Sequence, residues 1–343
     1  MILSPQKKLA VSLVTSNAEK YLPFCLKSVF CQTFEDFTLL VIDNGSNDAT
    51  VRYLKENYPQ IKIVEHRQNI GFAQAHNQAI SWTASDYLCL LNQDTILELD
   101  YFSKIIEFLD NHPAVGAATG KILQWDHKNN QKTNIVDTLG LEIFKSHRVV
   151  DIGQGKAEPF DLNQPKEVFG VSGCIPVYRR SALEAIKLKS TASHEEYFDE
   201  LYFSYKEDID LAWRLRLASF SAYLVPSATA YHDRTIKVVD DLSYKSIIIS
   251  RRKKDKLVKI YSYKNHLQTL FKNEFLINFL KYFFPIFWYE FKKLFYIIIF
   301  EQSTLRGARL FFNQWKYIWQ KRKYIIKNIR KVKAKEIASW FEK

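Results

Sequence analysis

Tyr87-Leu88-Cys89-Leu90-Leu91 runs straight into Asn92-Gln93-Asp94-Thr95. Five apolar residues closed by a polar turn read as a strand buried on both faces, and the abrupt change marks its C-terminal end. The same pattern recurs upstream. Leu9–Val14 ends in Thr15-Ser16-Asn17, Phe37–Ile42 ends in Asp43-Asn44-Gly45-Ser46-Asn47-Asp48, and Ile61–Glu65 precedes the loop Asn69-Ile70-Gly71-Phe72. Segments of helical spacing lie between them. Glu19 to Phe30 carries Leu22, Leu26, Val29 and Phe30, with Pro23 tolerable only in a first turn. Ala49–Asn57 has Ser46 or Asp48 as its cap, and Ala73–Thr83 follows the third strand. This alternation predicts right-handed βαβ units, an α/β fold built on a largely parallel sheet.

Three of the four strands end in polar groups: Thr15 and Asn17, then Asp43, then Asn92 and Asp94. On a parallel sheet such ends line one crevice, where open α/β sheets bind ligands. Asp43 is suited to accept a hydrogen bond from a pyrimidine N–H. Oxygen donors at Asn92 and Asp94 suit Mg²⁺ or Mn²⁺, which takes one or two carboxylates and leaves its other positions to phosphates. Gly71 allows backbone N–H groups near a nucleotide, with Asn77 on the helix that follows.

Further along, Glu207-Asp208-Ile209-Asp210 opens a helix predicted over Glu207–Leu217. Acids in a first turn suit the helix dipole. The aromatics Phe198, Tyr202, Phe203 and Tyr205 just upstream give apolar walls, which raise a carboxylate's pKa and make it a better base. Asp210 and Arg214, four residues apart, form a structural pair. His232 falls in the loop Tyr231-His232-Asp233 after a strand over Ala222–Val225, and its imidazole is acceptable to Mn²⁺. Gln124–Ile135 and Gly153–Lys166 read as polar loops. Val168–Ile175 reads as a buried strand ended by Pro176, with Gly170 and Gly173 where something approaches the backbone. A cation holding a diphosphate, plus a separate base, is what nucleotide-dependent group transfer requires.

The bulk numbers agree with an enzyme of this kind. A chain of 343 residues, 47% hydrophobic and 25% charged, is globular and large enough for an α/β domain with an appendage. Its four cysteines show no paired spacing, which suits a reducing compartment and argues against zinc. The N-terminus carries no apolar stretch of the secretory kind. Residues 251–343 hold 23 Lys/Arg against 6 Asp/Glu, a balance of +17 within a total of +12. The first 250 residues are therefore net −5. The same tail holds 23 of the 51 aromatic residues. Two regions are implied, 1–240 for nucleotide binding and catalysis and 241–343 as an amphipathic helical region.

Read together, Val11-Ser-Leu-Val-Thr-Ser-Asn17, Val41-Ile-Asp-Asn-Gly-Ser-Asn-Asp48, Asn69-Ile-Gly-Phe-Ala73 with Asn77, Leu90-Leu-Asn-Gln-Asp-Thr95, Val171-Ser-Gly-Cys174, Glu207-Asp-Ile-Asp-Leu-Ala-Trp-Arg214 and His232 form a pattern. Over residues 9–235 it resembles the inverting family 2 glycosyltransferases of GT-A fold, and among them the rhamnosyltransferase-type enzymes of bacterial surface polysaccharide assembly. The resemblance implies a Rossmann-like mixed sheet flanked by helices. It implies that Asp43 meets the base of a UDP- or dTDP-sugar with Thr15 and Asn17 beside it, and that Gly71, Asn77 and Gly173 also line the donor site. Asp94, with Asn92 in place of the stricter motif's first Asp, would stand at the metal position, and His232 would be a further ligand. Asp208 would deprotonate the acceptor hydroxyl, and Glu207 would help hold the acceptor. The Gln-x-x-Arg-Trp motif of the processive synthases is absent, which favours transfer of a single sugar.

In the tail, Phe275, Phe279, Tyr282, Phe283 and Ile286 share one helical face, broken or kinked at Pro285. Phe312, Trp315 and Trp319 form a second stripe flanked by Lys316 and Lys323. Basic helices rich in aromatics suit the headgroup region of an anionic bilayer. The expectation is a peripheral protein on the cytoplasmic face of the plasma membrane, acting on a lipid-linked saccharide acceptor, without nucleic acid and with homo-oligomerisation open. Its apolar runs, Tyr282–Tyr289 and Leu294–Phe300, fall short of the ~20 residues a spanning helix needs. A sugar nucleotidyltransferase is disfavoured because residues 1–30 contain no glycine. A non-enzymatic membrane or polyanion binder would lose its function with the tail, whereas an N-terminal enzyme would survive that cut.

Overall fold

The computed structural model describes residues 7–159, 161–189, 195–234, 251 and 255–342. The proposed division at 240/241 lies outside them. The strands are β1 (Leu9–Thr15), β2 (Phe37–Asp43), β3 (Lys62–Glu65), β4 (Tyr87–Asn92), β5 (Thr95–Leu97), β6 (Val115–Asp126) and β7 (Gln131–Thr138). They continue with β8 (Leu141–Ile143), β9 (Val149–Asp151), β10 (Lys166–Val168), β11 (Val177–Arg179), β12 (Leu188–Lys189), β13 (Glu195–Glu196) and β14 (Ser221–His232). The main sheet has the order β10-β14-β6-β11-β4-β1-β2-β3, with β5 against β14 and β7 against β6.

The βαβ half is parallel, as the apolar runs require. α1 (Leu22–Phe30) has Pro23 in its first turn, α2 is Thr50–Asn57 and α3 is Phe72–Ser81. The Asp48 side chain, not Ser46, serves the start of α2 by accepting from the Thr50 N–H at 3.0 Å. Leu9, Val11 and Leu13 face one side of β1 and pack with α1 and with α4 (Tyr101–Asn111). The register sets Thr15 opposite Asp43, Val14 opposite Asn92, and Thr95 opposite His232. Polar ends from β1, β2, β4 and β14 therefore share one edge.

Three readings of the middle are corrected. Gln124–Ile135 is not a loop: β6 and β7 form a hairpin across it, with Ile122, Leu123, Trp125 and Val136 buried among polar neighbours. Val168–Ile175 is not a strand. β10 ends at Val168, only a single bridge from Gly170 to Leu141 follows, and β11 begins at Val177, so Pro176 precedes a strand; the glycines between pack under α6 (Glu207–Leu217), where a Cβ on Gly170 would lie 2.2 Å from that of Ala212. His232 is not in a loop. β14 runs 12 residues through an irregularity between Val225 and Thr229, and His232 is its last paired residue.

α5 (Arg180–Ile186) and α6 cover the sheet on the side where the C-terminal helices also pack. Of these, α7 (Lys256–Asn273) starts at Asp255, whose carboxylate accepts from the Leu257 N–H at 2.7 Å. It buries Lys264, Asn265, His266, Gln268, Thr269, Lys272 and Asn273, which is more polar than apolar. Those groups meet partners on the sheet domain. Lys272 pairs with Asp199 at 2.5 Å and Asp210 at 2.9 Å, and Gln268 donates to Asp199. Lys321, on α11 (Trp315–Tyr324), pairs with Glu196 at 2.6 Å and Asp199 at 2.7 Å. Arg214 holds Asp210 at 2.9 Å, the pair expected from sequence. Three carboxylates thus meet three cations, all buried. Part of the tail's positive charge is spent inward rather than shown to solvent.

α8 (Leu276–Lys281) and α9 (Phe283–Phe300) meet at Tyr282, leaving Pro285 in the first turn of α9. α10 (Leu305–Asn313) and α12 (Ala334–Phe341) complete the region. Trp315 and Trp319 lean on Phe271 of α7 with ring centroids at 4.3 and 5.6 Å. No described helix is long and apolar enough to cross a membrane.

Candidate active site

Asp94 lies just past β4 and His232 ends β14. His232 Nε2 and an Asp94 oxygen are 3.2 Å apart, while Nδ1 of the same ring lies 2.9 Å from Asp137. Burial alone would keep this imidazole neutral, but Asp94 and Asp137 outweigh it and push its pKa up to about 10. A proton between two carboxylates marks a place that demands positive charge. The separation of Asp94 and Nε2 also fits two neighbouring ligands of one octahedral ion, which at ~2.1 Å bond lengths lie ~3 Å apart. The donor set therefore suits a hard or borderline divalent cation. Asp137 would fix the tautomer that leaves Nε2 to the ion, as carboxylates behind metal-bound histidines do.

Asp137 was not singled out in the sequence, nor were its companions. Arg234 pairs with Asp137 at 2.8 Å and with Asp151 at 3.0 Å. Cys174 also comes close, its sulfur, Asp137 and His232 lying within 4.8 Å of one another. Burial pushes that thiol far above its usual value, so it offers no thiolate, and Asp137 is already neutralised by Arg234. A cation would be met on the Asp94 side of the histidine.

Gln93 was also missed. Its amide accepts from the Ser16 N–H at 2.7 Å and donates to the Ser16 carbonyl at 3.2 Å, tying the Asn92-x-Asp94 turn to the end of β1. At the next strand end Asp43 is buried, accepting from Thr15 Oγ1 at 3.0 Å and from the Ser46 N–H at 3.0 Å. Asn17 adopts a left-handed conformation (φ 50°) and accepts from the Asn47 N–H, so the ends of β1 and β2 form one polar rim.

The acidic pair joins this rim through the chain after β10. The Asn92 N–H donates to the Cys174 carbonyl at 3.0 Å, and the adjacent Gly173 N–H donates to Asp208 at 3.0 Å. The second Asp208 oxygen accepts from the Ile209 N–H at 2.8 Å. Burial, then the charge of Asp151, raises the Asp208 pKa above the usual carboxylate range. Burial, then the Asp208 charge, pushes Glu207 up to about 8. Glu207 Oε2 is buried and has no hydrogen-bond partner among the described residues. An orphaned polar atom next to a carboxylate of raised pKa is the signature of a site awaiting a ligand.

Two expected residues do not join the group. Asn77 spends its whole amide on the segment before α6, accepting from the Tyr197 and Phe198 N–H groups and donating to Phe198 O and Glu200. It tethers α3 and offers nothing to a nucleotide. Gly71 (φ 90°) is required because a Cβ there would lie 2.6 Å from the Phe203 carbonyl oxygen. Its backbone yields to a neighbouring loop.

A mixed sheet with acidic strand ends on one edge and a paired acid at the start of a packed helix defines a nucleotide-sugar transferase of GT-A fold, an enzyme class. More narrowly, the chain belongs to glycosyl transferase family 2, whose profile matches residues 11–187. It is 25% identical over 247 residues to the N-acetylglucosaminyl-diphospho-decaprenol L-rhamnosyltransferase of Mycobacterium tuberculosis, covering 66% of this chain and 76% of that one. It is 32% identical over 222 residues to the poly-beta-1,6-N-acetyl-D-glucosamine synthase of Staphylococcus aureus (64% and 48%), and 28% over 111 residues to an uncharacterized glycosyltransferase of Haemophilus influenzae (32% and 34%). The chain thus spans about half and a third of those last two proteins. In fold it is similar to GalNAc-T7 crystallised with UDP, GalNAc and Mn²⁺, with a TM-score of 0.54 at 13% identity over 77% of this chain and 51% of that one. It is also similar to S. aureus TarS 1-349, with 0.50 at 15% over 98% and 90%.

Proposed function

We propose that this glycosyltransferase moves one sugar, rhamnose favoured, with inversion from a dTDP- or UDP-sugar to a lipid-linked saccharide at a membrane surface. The observation that carries the chemistry is the gathering of Asp94, His232 and Asp208 around the end of β4. The M. tuberculosis relative, named for rhamnosyl transfer to a decaprenol-linked sugar, supports the choice of sugar and acceptor.

Asp94 and His232 Nε2 would hold Mg²⁺ or Mn²⁺, with Asn92 beside them. When bound, the ion supplies charge to stabilise the departing diphosphate. Asp43 fixes the base at the far end of the rim. Asp208 takes the proton from the acceptor hydroxyl as that oxygen attacks the anomeric carbon opposite the diphosphate, which inverts the configuration. Its two backbone donors aim the carboxylate, and its raised pKa makes it a stronger base. Glu207, held neutral up to about pH 8 by burial, donates a hydrogen bond to the acceptor. The test is a panel of UDP- and dTDP-sugars read by nucleotide release. One or two donors should be turned over, and release from none would refute the reading.

The membrane contact falls on α9. Phe283, Phe287, Phe291 and Phe295 stack along one face at 5.6, 5.9 and 6.5 Å between ring centroids, and each is 41–58% exposed. Trp288, Ile298, Ile299 and Phe300 are exposed nearby, and Lys292 lies over the Trp288 ring. So large an apolar surface on a monomer marks an interaction site, and aromatics beside lysines suit the interfacial zone of a bilayer. Wild type should float with phosphatidylglycerol-containing vesicles. Serine at Phe287, Phe291 and Phe295 should leave it at the bottom of the gradient, and unchanged flotation would remove α9 from this role.

A further inference from the structure

Three residues just ahead of Asp208 hold left-handed backbone: Phe203 (φ 63°), Tyr205 (φ 73°) and Lys206 (φ 67°). None is glycine, and side chains of this size adopt that region only where their surroundings impose it. The surroundings include Asn265, fully buried on α7, which belongs to the region beyond the family match. Its Nδ2 shares two N–H groups among the carbonyl oxygens of Tyr202 at 3.1 Å, Ser204 at 2.9 Å and Tyr205 at 2.6 Å. Its Oδ1 has no hydrogen-bond partner among the described residues, and turning the amide over would set that oxygen against three others. The side chain is therefore held for its donors alone. The Ala73 N–H also reaches Phe203 O at 3.3 Å, and the Phe203 ring stacks on Tyr261, one turn before Asn265 on α7, at 5.2 Å.

We infer that Asn265 is a positioning residue for the transfer reaction, latching the strained 202–206 backbone so that α6 begins with Asp208 seated against Gly173. The inference rests on the reading of Asp208 as the base. It places part of the active site's precision in a C-terminal helix that touches no reacting atom. A carboxylate could not replace the amide, since it has no N–H to give.

The test compares Asn265→Ala, Asn265→Ser and Thr269→Val with wild type, using the sugar nucleotide that the panel identifies. Thr269 meets the Tyr202 hydroxyl at 2.6 Å one turn along α7, so its loss breaks a buried hydrogen bond without freeing the loop. Asn265→Ala should lower kcat about tenfold to a hundredfold with donor KM unchanged, the scale of a ~1 Å misplacement. Asn265→Ser, keeping one donor, should fall between, and it stands in if the alanine variant does not fold. Thr269→Val should keep wild-type kcat while melting earlier. Undiminished kcat in Asn265→Ala, or an equal loss in Thr269→Val, would overturn the latch. Should wild type release no nucleotide from any sugar, the functional reading falls and hydrogen exchange decides the latch. Amides 204–208 should then exchange faster in Asn265→Ala or its serine substitute, and equal rates would overturn it.

Discussion

Asp208→Asn should slow nucleotide release about 10²–10⁴-fold while UDP still binds, because a positioned general base contributes on that scale. The substitution is nearly isosteric, and the amide oxygen can still accept from the Gly173 N–H, which keeps that anchor of α6, while the amide nitrogen gives up the bond from the Ile209 N–H. What is lost is the basic oxygen. Full activity in the variant would take the base from Asp208. The pH profile carries the same signature. Asp208 must be ionised and its pKa is raised, so wild-type activity should climb through a rising limb above the usual carboxylate range. Glu207 must stay protonated, so activity should fall again near pH 8. For stability the sign is opposite to that of a salt-bridged acid. Between about 4.5 and 8 the unfolded chain holds fewer protons at Glu207 than the folded one, so this site loses stability as pH rises.

Lys272→Met should destabilise the whole protein, and removal of residues 251–343 should leave no folded remainder. Lys272 is buried between Asp199 and Asp210, and stripping one partner from a buried ion pair costs about 3–5 kcal/mol. A domain's total stability is only about 5–15 kcal/mol. Cutting the tail removes Lys321 and Gln268 as well, leaving Glu196, Asp199 and Asp210 facing one another with Arg214 alone. This network argues against the expectation that an N-terminal enzyme would outlive its tail. Denaturant unfolding of Lys272→Met checks it: a midpoint equal to wild type, or a cooperative transition in the fragment, would show that the ion cluster is dispensable.

The parts legible from sequence were those with a strong local signal. Apolar runs closed by polar turns gave the βαβ half and the shared strand edge, and Asp43, Asp94, Asp208 and His232 stand at the edge or at the helix that meets it. The parts that were not legible depend on distance along the chain. Asp137 lies on β7 just past Gln124–Ile135, a stretch that looks like a loop until it is seen paired with β6. Gln93 looks like a spacer, yet its side chain bridges to Ser16. Asn77 matches a motif by position but is consumed by residues some 120 further on. The tail's lysines read as membrane-directed because nothing local shows that Lys264, Lys272 and Lys321 turn inward to acids and carbonyls of the sheet domain.

That Asp94 and His232 share one divalent cation at the donor diphosphate is tested most directly by metal removal. Nucleotide release from the responding sugar should stop in EDTA and return when Mn²⁺ or Mg²⁺ is restored. Release that continues undiminished in EDTA would contradict the account.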